Sequence, residues 1–135
     1  MIQFLVGEKG SGKTKTLIEM INKSAMETKG NIVCIEKNMK LIYDIKHSVR
    51  LIDVDAFNIE GYDEFYGFVM GVLAGNYDIM EVYVDGILRV GDHDLIGFEK
   101  LINKLEPFAG DNMKMLFTVS EKPEALPESL KKYVL

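Results

Sequence analysis

One stretch decides the fold of this sequence: Gly7-Glu8-Lys9-Gly10-Ser11-Gly12-Lys13-Thr14. It matches the pattern G-x-x-x-x-G-K-[ST] at every defined position. An apolar run at 2–6 precedes it and apolar residues at helical spacing follow it, which predicts a strand, a glycine-rich loop and a helix. Because the backbone N–H groups of such a loop point into one concavity, the stretch predicts an anion site. The alternative is a glycine-rich turn that only joins a strand to a helix.

The residue types in the 7–14 loop suit one chemistry, the binding of a nucleoside triphosphate with Mg²⁺. Glycines allow the backbone to curl around phosphate groups, and the N-terminus of the following helix adds its positive dipole. Lys13 supplies a charge to the outer phosphates and is the predicted catalytic cation. The hydroxyl of Thr14 is a ligand of the kind that Mg²⁺ prefers. All eight residues of the loop are therefore predicted to bind the cofactor.

A Mg²⁺ site needs an acidic residue in addition to the loop. The apolar run 79–84 ends in Asp85, so its carboxylate should emerge at the carboxyl edge of a parallel sheet, where open α/β sheets bind ligands. Asp85 and Thr14 are therefore the predicted metal ligands. The alternative for Asp85 is a turn residue at the end of a strand, which is a common place for aspartate.

The rest of the chain alternates short apolar runs with longer amphipathic ones, which predicts a mostly parallel sheet of about five strands flanked by helices. The segment 37–48 is ambiguous between a short helix and half a hairpin, with Met39, Leu41, Ile42 and Ile45 as candidate apolar positions. The segment 128–135 is either a short helix or a last strand. The length of 135 residues predicts one domain, 1–135. The predicted strands are 2–6, 31–36, 49–54, 80–84 and 114–120, and the predicted helices are 14–29, 63–74 and 95–105.

The composition of the chain argues against nucleic acid as a partner, against a disulfide and against membrane insertion. The net charge is −5 and only two residues, Arg50 and Arg89, are arginines, so nucleic acid is not an expected partner. The single cysteine, Cys34, lies in an apolar run and is expected to be an inert thiol of the core. No charged region precedes the N-terminal apolar run and no apolar stretch approaches about 20 residues, so we expect a cytoplasmic protein without membrane insertion.

The 7–14 loop and Asp85 resemble the P-loop NTPases, and within them the additional-strand division that includes RecA-like and AAA-like ATPases. The resemblance implies a three-layer α/β P-loop NTPase fold with ATP and Mg²⁺ as cofactors. It also implies that the strand 114–120 inserts between the loop strand and the Asp85 strand. Ser120, at its end, would then face the γ-phosphate as a catalytic sensor; a helix cap or a plain strand-end hydroxyl is the alternative.

The sequence is also similar to a group of small single-domain P-loop ATP-binding proteins, which are sometimes catalogued as twitching-motility (PilT-like) ATPases. The similarity includes the 7–14 loop and three further stretches. These are 63–68 (DEFYGF), 77–86 (YDIMEVYVDG) and 127–133 (PESLKKY).

One departure from the additional-strand division concerns hydrolysis. Many of its members place a glutamate directly after the strand-end aspartate, where it orients the attacking water, and this chain has Gly86 there. Four other acids at predicted strand ends could substitute, and each is otherwise a solvated strand-end acid. They are Glu36, Asp53, Asp55 and Glu121. The sequence therefore supports binding of ATP better than its hydrolysis.

Three functions are compatible with these residues. The first is a Mg-ATP-binding protein with weak or partner-activated hydrolysis. The second is a nucleotide-dependent interaction module without turnover, which Gly86 favours. The third is a small-molecule kinase, which the small number of arginines disfavours because a phosphoryl-clamping lid needs them. The expected partners are a nucleoside triphosphate and either a second protein or further copies of this chain.

Two smaller features have open interpretations. Arg89 is either an arginine finger that reaches a neighbouring subunit or an ordinary surface arginine. The run Gly91-Asp92-His93-Asp94 looks superficially like a set of metal ligands, but one histidine between two aspartates is typical of a turn.

Overall fold

Strands and helices alternate along the chain in the order that the apolar pattern predicts. The computed structural model describes residues 1–38 and 40–135. Its strands and helices are β1 (Ile2–Gly7), α1 (Lys13–Glu27), β2 (Asn31–Glu36), β3 (Arg50–Asp53), α2 (Gly61–Ala74), β4 (Ile79–Val84), α3 (Leu95–Leu105) and β5 (Lys114–Ser120).

The five strands form one parallel sheet in the order β1-β5-β4-β2-β3. β5 therefore lies between β1, which leads into the 7–14 loop, and β4, which leads into Asp85. This is the insertion that the sequence resemblance implies. Since all strands run the same way, the residues that follow β1, β4 and β5 meet at one edge of the sheet.

The helix α1 covers one face of the sheet. Its buried residues Leu17 and Ile21 are four positions apart, which places them on one side of the helix. They pack with Cys34, Tyr83 and Leu116, which come from three neighbouring strands. Cys34 is fully buried, as predicted for a core cysteine, and burial raises the pKa of its thiol, which favours the unreactive protonated form.

The helices α2 and α3 cover the opposite face. Phe65 of α2 and Phe98 of α3 are both fully buried in a cluster that includes Phe4 and Phe117 of the sheet. The ring centroids of Phe4 and Phe98 are 5.3 Å apart. Neighbouring residues along a strand alternate between the two clusters, because successive side chains point to opposite faces. The chain therefore has three layers, as predicted.

The segment 37–48, which the sequence left ambiguous, forms a series of turns in its described part. Met39 lies outside the described residues. Leu41 and Ile45 are buried against α1, and both the Asp44 and Ile45 N–H groups donate to the carbonyl oxygen of Leu41. Ile42, the remaining candidate position, is exposed. The described part of the segment therefore packs on α1 without forming a helix or a hairpin.

The C-terminal residues follow the outer edge of β1. A 3₁₀ helix, Glu128–Tyr133, buries Leu130, and Val134 then forms a parallel bridge to Phe4. The N–H of Leu135 donates to the Phe4 carbonyl at 2.9 Å. The segment 128–135 therefore contains both a short helix, of the 3₁₀ type, and a single strand-like bridge, the two structures that the sequence left open. Among the described residues, no helix combines the length and the apolar character that crossing a bilayer requires.

Candidate functional site

A cleft of about 660 Å³ opens at the edge of the sheet where β1, β4 and β5 end. Its size is typical of clefts that hold small molecules. Glu8 and Ser11 of the 7–14 loop do not line it, and neither does Gly7. Predicted site residues that do line it are Lys9, Gly10, Gly12, Lys13, Thr14, Asp85 and Ser120. Other parts of the chain contribute Lys15, Lys40, Leu41, Gly86, Arg89, His93 and Thr118.

The 7–14 loop is curled by its glycines. Gly10 and Gly12 have φ of 86° and 89°, a left-handed conformation that costs glycine little. The N–H of Ser11 donates to the Glu8 carbonyl at 3.1 Å, which closes the curl. Gly12 precedes α1 as its N-cap residue, and no side chain caps the start of the helix. The first N–H groups of α1 therefore face the cleft side of the loop and are available to an anion.

Lys13 lies across the loop that precedes it. Its Nζ donates to the Glu8 carbonyl at 3.1 Å and to Ser11 Oγ at 3.4 Å. Burial lowers the pKa of Lys13, and the nearby Asp85 carboxylate opposes this shift. The ammonium group is thus held at the mouth of the cleft, within electrostatic range of the predicted metal ligand.

Thr14 and Asp85, the two predicted magnesium ligands, face each other. Thr14 Oγ1 lies 3.4 Å from each carboxylate oxygen of Asp85. One hydroxyl and one carboxylate are hard oxygen donors, and Mg²⁺ is usually held by one or two protein ligands of this kind together with phosphates and water. The donor set fits the predicted cation.

Thr118 is a site residue that the sequence analysis missed. It is 1% exposed on β5, and its hydroxyl donates to Asp85 Oδ1 at 2.7 Å while it accepts from the N–H of Gly86 at 2.7 Å. It therefore fixes one oxygen of the Asp85 carboxylate. The available signal was a threonine two positions before Ser120, since alternate residues of a strand share a face.

Ser120 lies where the resemblance implies. It ends β5, pairs with Gly7 in the parallel register, and is half-buried at the wall of the cleft. Its hydroxyl is on the same face of β5 as that of Thr118. The strand order thus brings Ser120 beside the 7–14 loop.

Glu36 differs from the interpretation of a solvated strand-end acid, which is wrong for this residue. It is 2% exposed, and its Oε1 accepts from the N–H of Leu41 at 3.0 Å. Burial raises the pKa of Glu36, and the Leu41 N–H opposes that shift while Asp85 adds to it. The N–H of Asp85 donates to the Ile35 carbonyl, so the ends of β2 and β4 are adjacent. Glu36 therefore lies beneath Leu41, behind the wall of the cleft.

The other three candidate acids have partners away from the cleft. Asp53 accepts hydrogen bonds from the N–H groups of Asn38 and Asp55, both at 2.9 Å. Asp55 pairs with Lys37 at 2.7 Å. Glu121 accepts from the N–H of its neighbour in the chain at 2.8 Å. None of the three lines the cleft.

Arg89 and His93 line the cleft of their own chain. His93 and Asp92 have φ of 60° and 53°, and Asp94 caps α3 by accepting from the N–H groups at its start. The residues 91–94 thus form a turn, as predicted, and no cluster of three metal-ligating side chains occurs among the described residues.

Comparison with known proteins supports the fold. No protein-family model matches the chain, and no curated protein matches it. The flagellar accessory protein FlaH from Methanocaldococcus jannaschii superposes with a TM-score of 0.58 at 15% identity, over 97% of this chain and 65% of FlaH. The chain thus spans slightly less than two thirds of the length of FlaH.

Domain III of the replication initiation protein DnaA from Thermotoga maritima also matches, with a TM-score of 0.44 and 16% identity, over 98% of this chain and 50% of that one. The likeness to FlaH extends over nearly the whole chain and, at 15% identity, concerns the fold alone. This protein has the three-layer α/β fold of the P-loop NTPases.

Proposed function

We propose that this protein binds Mg-ATP in the cleft at the carboxyl edge of its sheet. The observation that carries the proposal is the position of Thr14 Oγ1, 3.4 Å from both Asp85 oxygens, at the start of the helix that follows the 7–14 loop. Two oxygen ligands for a divalent cation thus adjoin a glycine-rich loop of the kind whose N–H groups bind phosphates. A nucleoside triphosphate with Mg²⁺ satisfies both at once.

Each residue has a role in this proposal. The amides of the 7–14 loop and the Lys13 ammonium hold the phosphates, and Thr14 and Asp85 hold Mg²⁺, which would neutralise part of the phosphate charge. Thr118 positions the Asp85 carboxylate, and Ser120 senses the γ-phosphate. The sequence has no N-K-x-D element of the kind that GTPases use to bind guanine, which favours ATP.

Hydrolysis in this proposal is weak or depends on a partner. A general base must lie within hydrogen-bond reach of the attacking water, directly or through one further water. Gly86 offers no carboxylate, and Glu36 is buried and accepts the Leu41 amide. Glu36 ends β2, which pairs with the strand that leads into Asp85, so a movement of Leu41 that uncovers Glu36 would supply the missing base.

A nucleotide-dependent interaction module without turnover is the second candidate function. The same burial of Glu36 favours it, because ATP would then be held without being consumed. Single-turnover measurement of bound ATP separates the two: release of phosphate supports the ATPase, and intact ATP after hours supports the module. Four expectations from the sequence stay predictions. They are a cytoplasmic location, a partner protein or self-assembly, one domain at 1–135, and the similarity to the small PilT-like ATP-binding proteins.

Calorimetric titration of Mg-ATP tests the proposal. Lys13→Ala removes the ammonium group from the cleft, and we expect ATP affinity to fall by about tenfold to a hundredfold, as for other charge-assisted contacts. The matched control is Lys23→Ala, which removes an exposed lysine farther along the same helix, and its affinity should equal that of the wild type. Unchanged affinity in Lys13→Ala would contradict the proposal.

A further inference from the structure

The guanidinium group of Arg89 lies against Gly86, the residue that follows Asp85. Gly86 has φ of 74°, and a Cβ built on it would lie 2.6 Å from Arg89 Nε and 2.8 Å from Arg89 Cζ. The Arg89 guanidinium therefore occupies the space into which a side chain at residue 86 would project. A cation, in place of a carboxylate, thus stands beside the metal ligand Asp85.

The backbone that carries Arg89 is fixed on both sides. Ile87 and Leu88, the two residues before it, are 0% and 1% exposed. The N–H of Arg89 donates to the Gly86 carbonyl at 3.1 Å, and the next carbonyl, that of Val90, accepts from the start of α2 at 2.9 Å. Because the turn is anchored in the core, only the side chain of Arg89 is left to be ordered when a ligand binds, which lowers the entropic cost.

The cleft has a strong excess of positive charge, although the chain as a whole is acidic, with a net charge of −5. Among its described lining residues, one carboxylate, Asp85, faces five cationic side chains. The five are Lys9, Lys13, Lys15, Lys40 and Arg89. In the described part of the chain, the ion pairs within 4.0 Å do not include Arg89. Its planar set of N–H donors is therefore not engaged by a carboxylate and suits a phosphate oxygen pair.

The position of Arg89 indicates which of the three phosphates of a bound nucleotide it would contact. In a loop of this type the backbone N–H groups would hold the inner phosphates, and Thr14 and Asp85 would hold the cation that neutralises charge on the outer ones. Gly86 and Arg89 adjoin Asp85 and are separated from the 7–14 loop by β5. Because Arg89 lines the same cleft as Asp85, its guanidinium would lie near the terminal phosphate and not near the inner ones.

We propose that Arg89 is a ligand of the γ-phosphate from within the same chain, and that it makes the cleft selective for a nucleoside triphosphate over a diphosphate. The inference rests on the proposed binding of Mg-ATP and adds a specificity-determining residue to it. It also accounts for Gly86, because any larger residue there would displace the guanidinium and adopt an unfavourable backbone conformation.

The test compares the dissociation constants of Mg-ADP and of Mg-bound non-hydrolysable ATP analogue by calorimetry. In Arg89→Gln we expect the analogue to bind about tenfold to a hundredfold more weakly, while ADP affinity stays within about twofold. Arg89→Lys keeps the positive charge but loses the planar pair of N–H donors, so we expect a partial loss of affinity for the analogue. The control is Arg50→Gln, which alters the only other arginine of the sequence, exposed at the start of β3, and should change neither constant.

The outcomes separate this inference from the proposed function. An Arg89→Gln protein that binds both nucleotides as the wild type does, or that weakens both equally, overturns the role of Arg89. If Lys13→Ala still loses ATP in the same assay, Mg-ATP binding stands. A wild-type protein that binds neither nucleotide overturns both. Arg89 is exposed, so its variants should keep the wild-type circular dichroism spectrum and thermal midpoint.

Discussion

Thr118 shows how a single buried hydroxyl can set the geometry of a site. A carboxylate that binds Mg²⁺ must present its oxygens in a fixed direction, and neighbouring hydrogen bonds usually provide this. The hydroxyl of Thr118 donates a hydrogen bond to Asp85 Oδ1 and accepts one from the Gly86 N–H. Both bonds lie in the interior, where an unpaired polar group is costly.

We therefore predict that Thr118→Val weakens the contribution of Mg²⁺ to ATP affinity by about tenfold, in the range that loss of such supporting contacts produces. Thr118→Ser keeps the hydroxyl and should restore most of it. The measurement is calorimetric titration of ATP with Mg²⁺ and with EDTA for each protein. If the ratio of the two affinities is the same in Thr118→Val as in the wild type, Thr118 does not position the metal ligand.

At the residue scale, the sequence predicts what is local and misses what depends on tertiary contacts. The eight residues of the 7–14 loop are contiguous, and their types alone indicate the phosphate chemistry. Asp85 was predicted because it ends an apolar run, and Ser120 because the resemblance implies a sensor at the end of the strand 114–120. Thr118 and Arg89 were not placed, since their positions depend on β5 lying beside β4 and on the turn after Gly86.

At the scale of elements, boundaries were predictable where the pattern and its stop signals agree. β2, α3 and β5 begin and end at the predicted residues. The segment 37–48 was not predictable, because its structure depends on a distant side chain. Asn22 of α1 donates through Nδ2 to the Asp44 carbonyl at 2.8 Å and accepts from the Lys46 N–H at 3.0 Å.

A polar network joins α1 to β4 near the opposite edge of the sheet. Glu81 is 8% exposed and accepts hydrogen bonds from the hydroxyls of Tyr83 and Thr28, the latter at 2.8 Å. Ser24 Oγ lies 3.1 Å from the Tyr83 hydroxyl. Burial by itself would raise the pKa of Glu81, but the hydrogen bonds from Tyr83, Thr28 and Ser24 bring the pKa below its ordinary value. The network therefore stabilises the charged carboxylate and, with it, the attachment of α1.

We predict that Tyr83→Phe lowers the free energy of unfolding by about 1–3 kcal/mol at pH 7, because it leaves a buried carboxylate with one donor fewer. The folded-state pKa of Glu81 is below the unfolded one, so its contribution is present above the unfolded pKa of about 4.3 and is lost as the pH falls further. Losing a donor raises the folded-state pKa of Glu81 toward the unfolded value, so the dependence of stability on pH below about 4.3 should become weaker.

Urea unfolding at several pH values between 7 and 3 measures both effects. The control is Tyr77→Phe, which removes the hydroxyl of a tyrosine that is 98% exposed and should leave stability unchanged. Equal stability of Tyr83→Phe and the wild type at pH 7 would show that the network does not hold α1.

At the scale of the whole molecule, the proposed ligand would contact residues of the strands and the helix that hold the two helix layers on the sheet. The 7–14 loop leads from β1 into α1, Asp85 follows β4, and Thr118 and Ser120 belong to β5 between them. The side chains of β4 and β5 enter both apolar clusters. Binding at this edge should therefore stabilise the sheet and both helix layers together.

We predict a single unfolding transition for residues 1–135 that Mg-ATP moves as a unit. Ligand at a hundred times its dissociation constant adds about 2.7 kcal/mol to the free energy of unfolding, which for a chain of this length raises the thermal midpoint by roughly 10 °C. Circular dichroism and tyrosine fluorescence should report the same midpoint, because the helices and the sheet unfold together. Lys13→Ala should show the single transition with a smaller shift, because the same ligand concentration is then only about one to ten times its dissociation constant. Two transitions, of which Mg-ATP moves only one, would contradict the single cooperative unit that the shared sheet predicts.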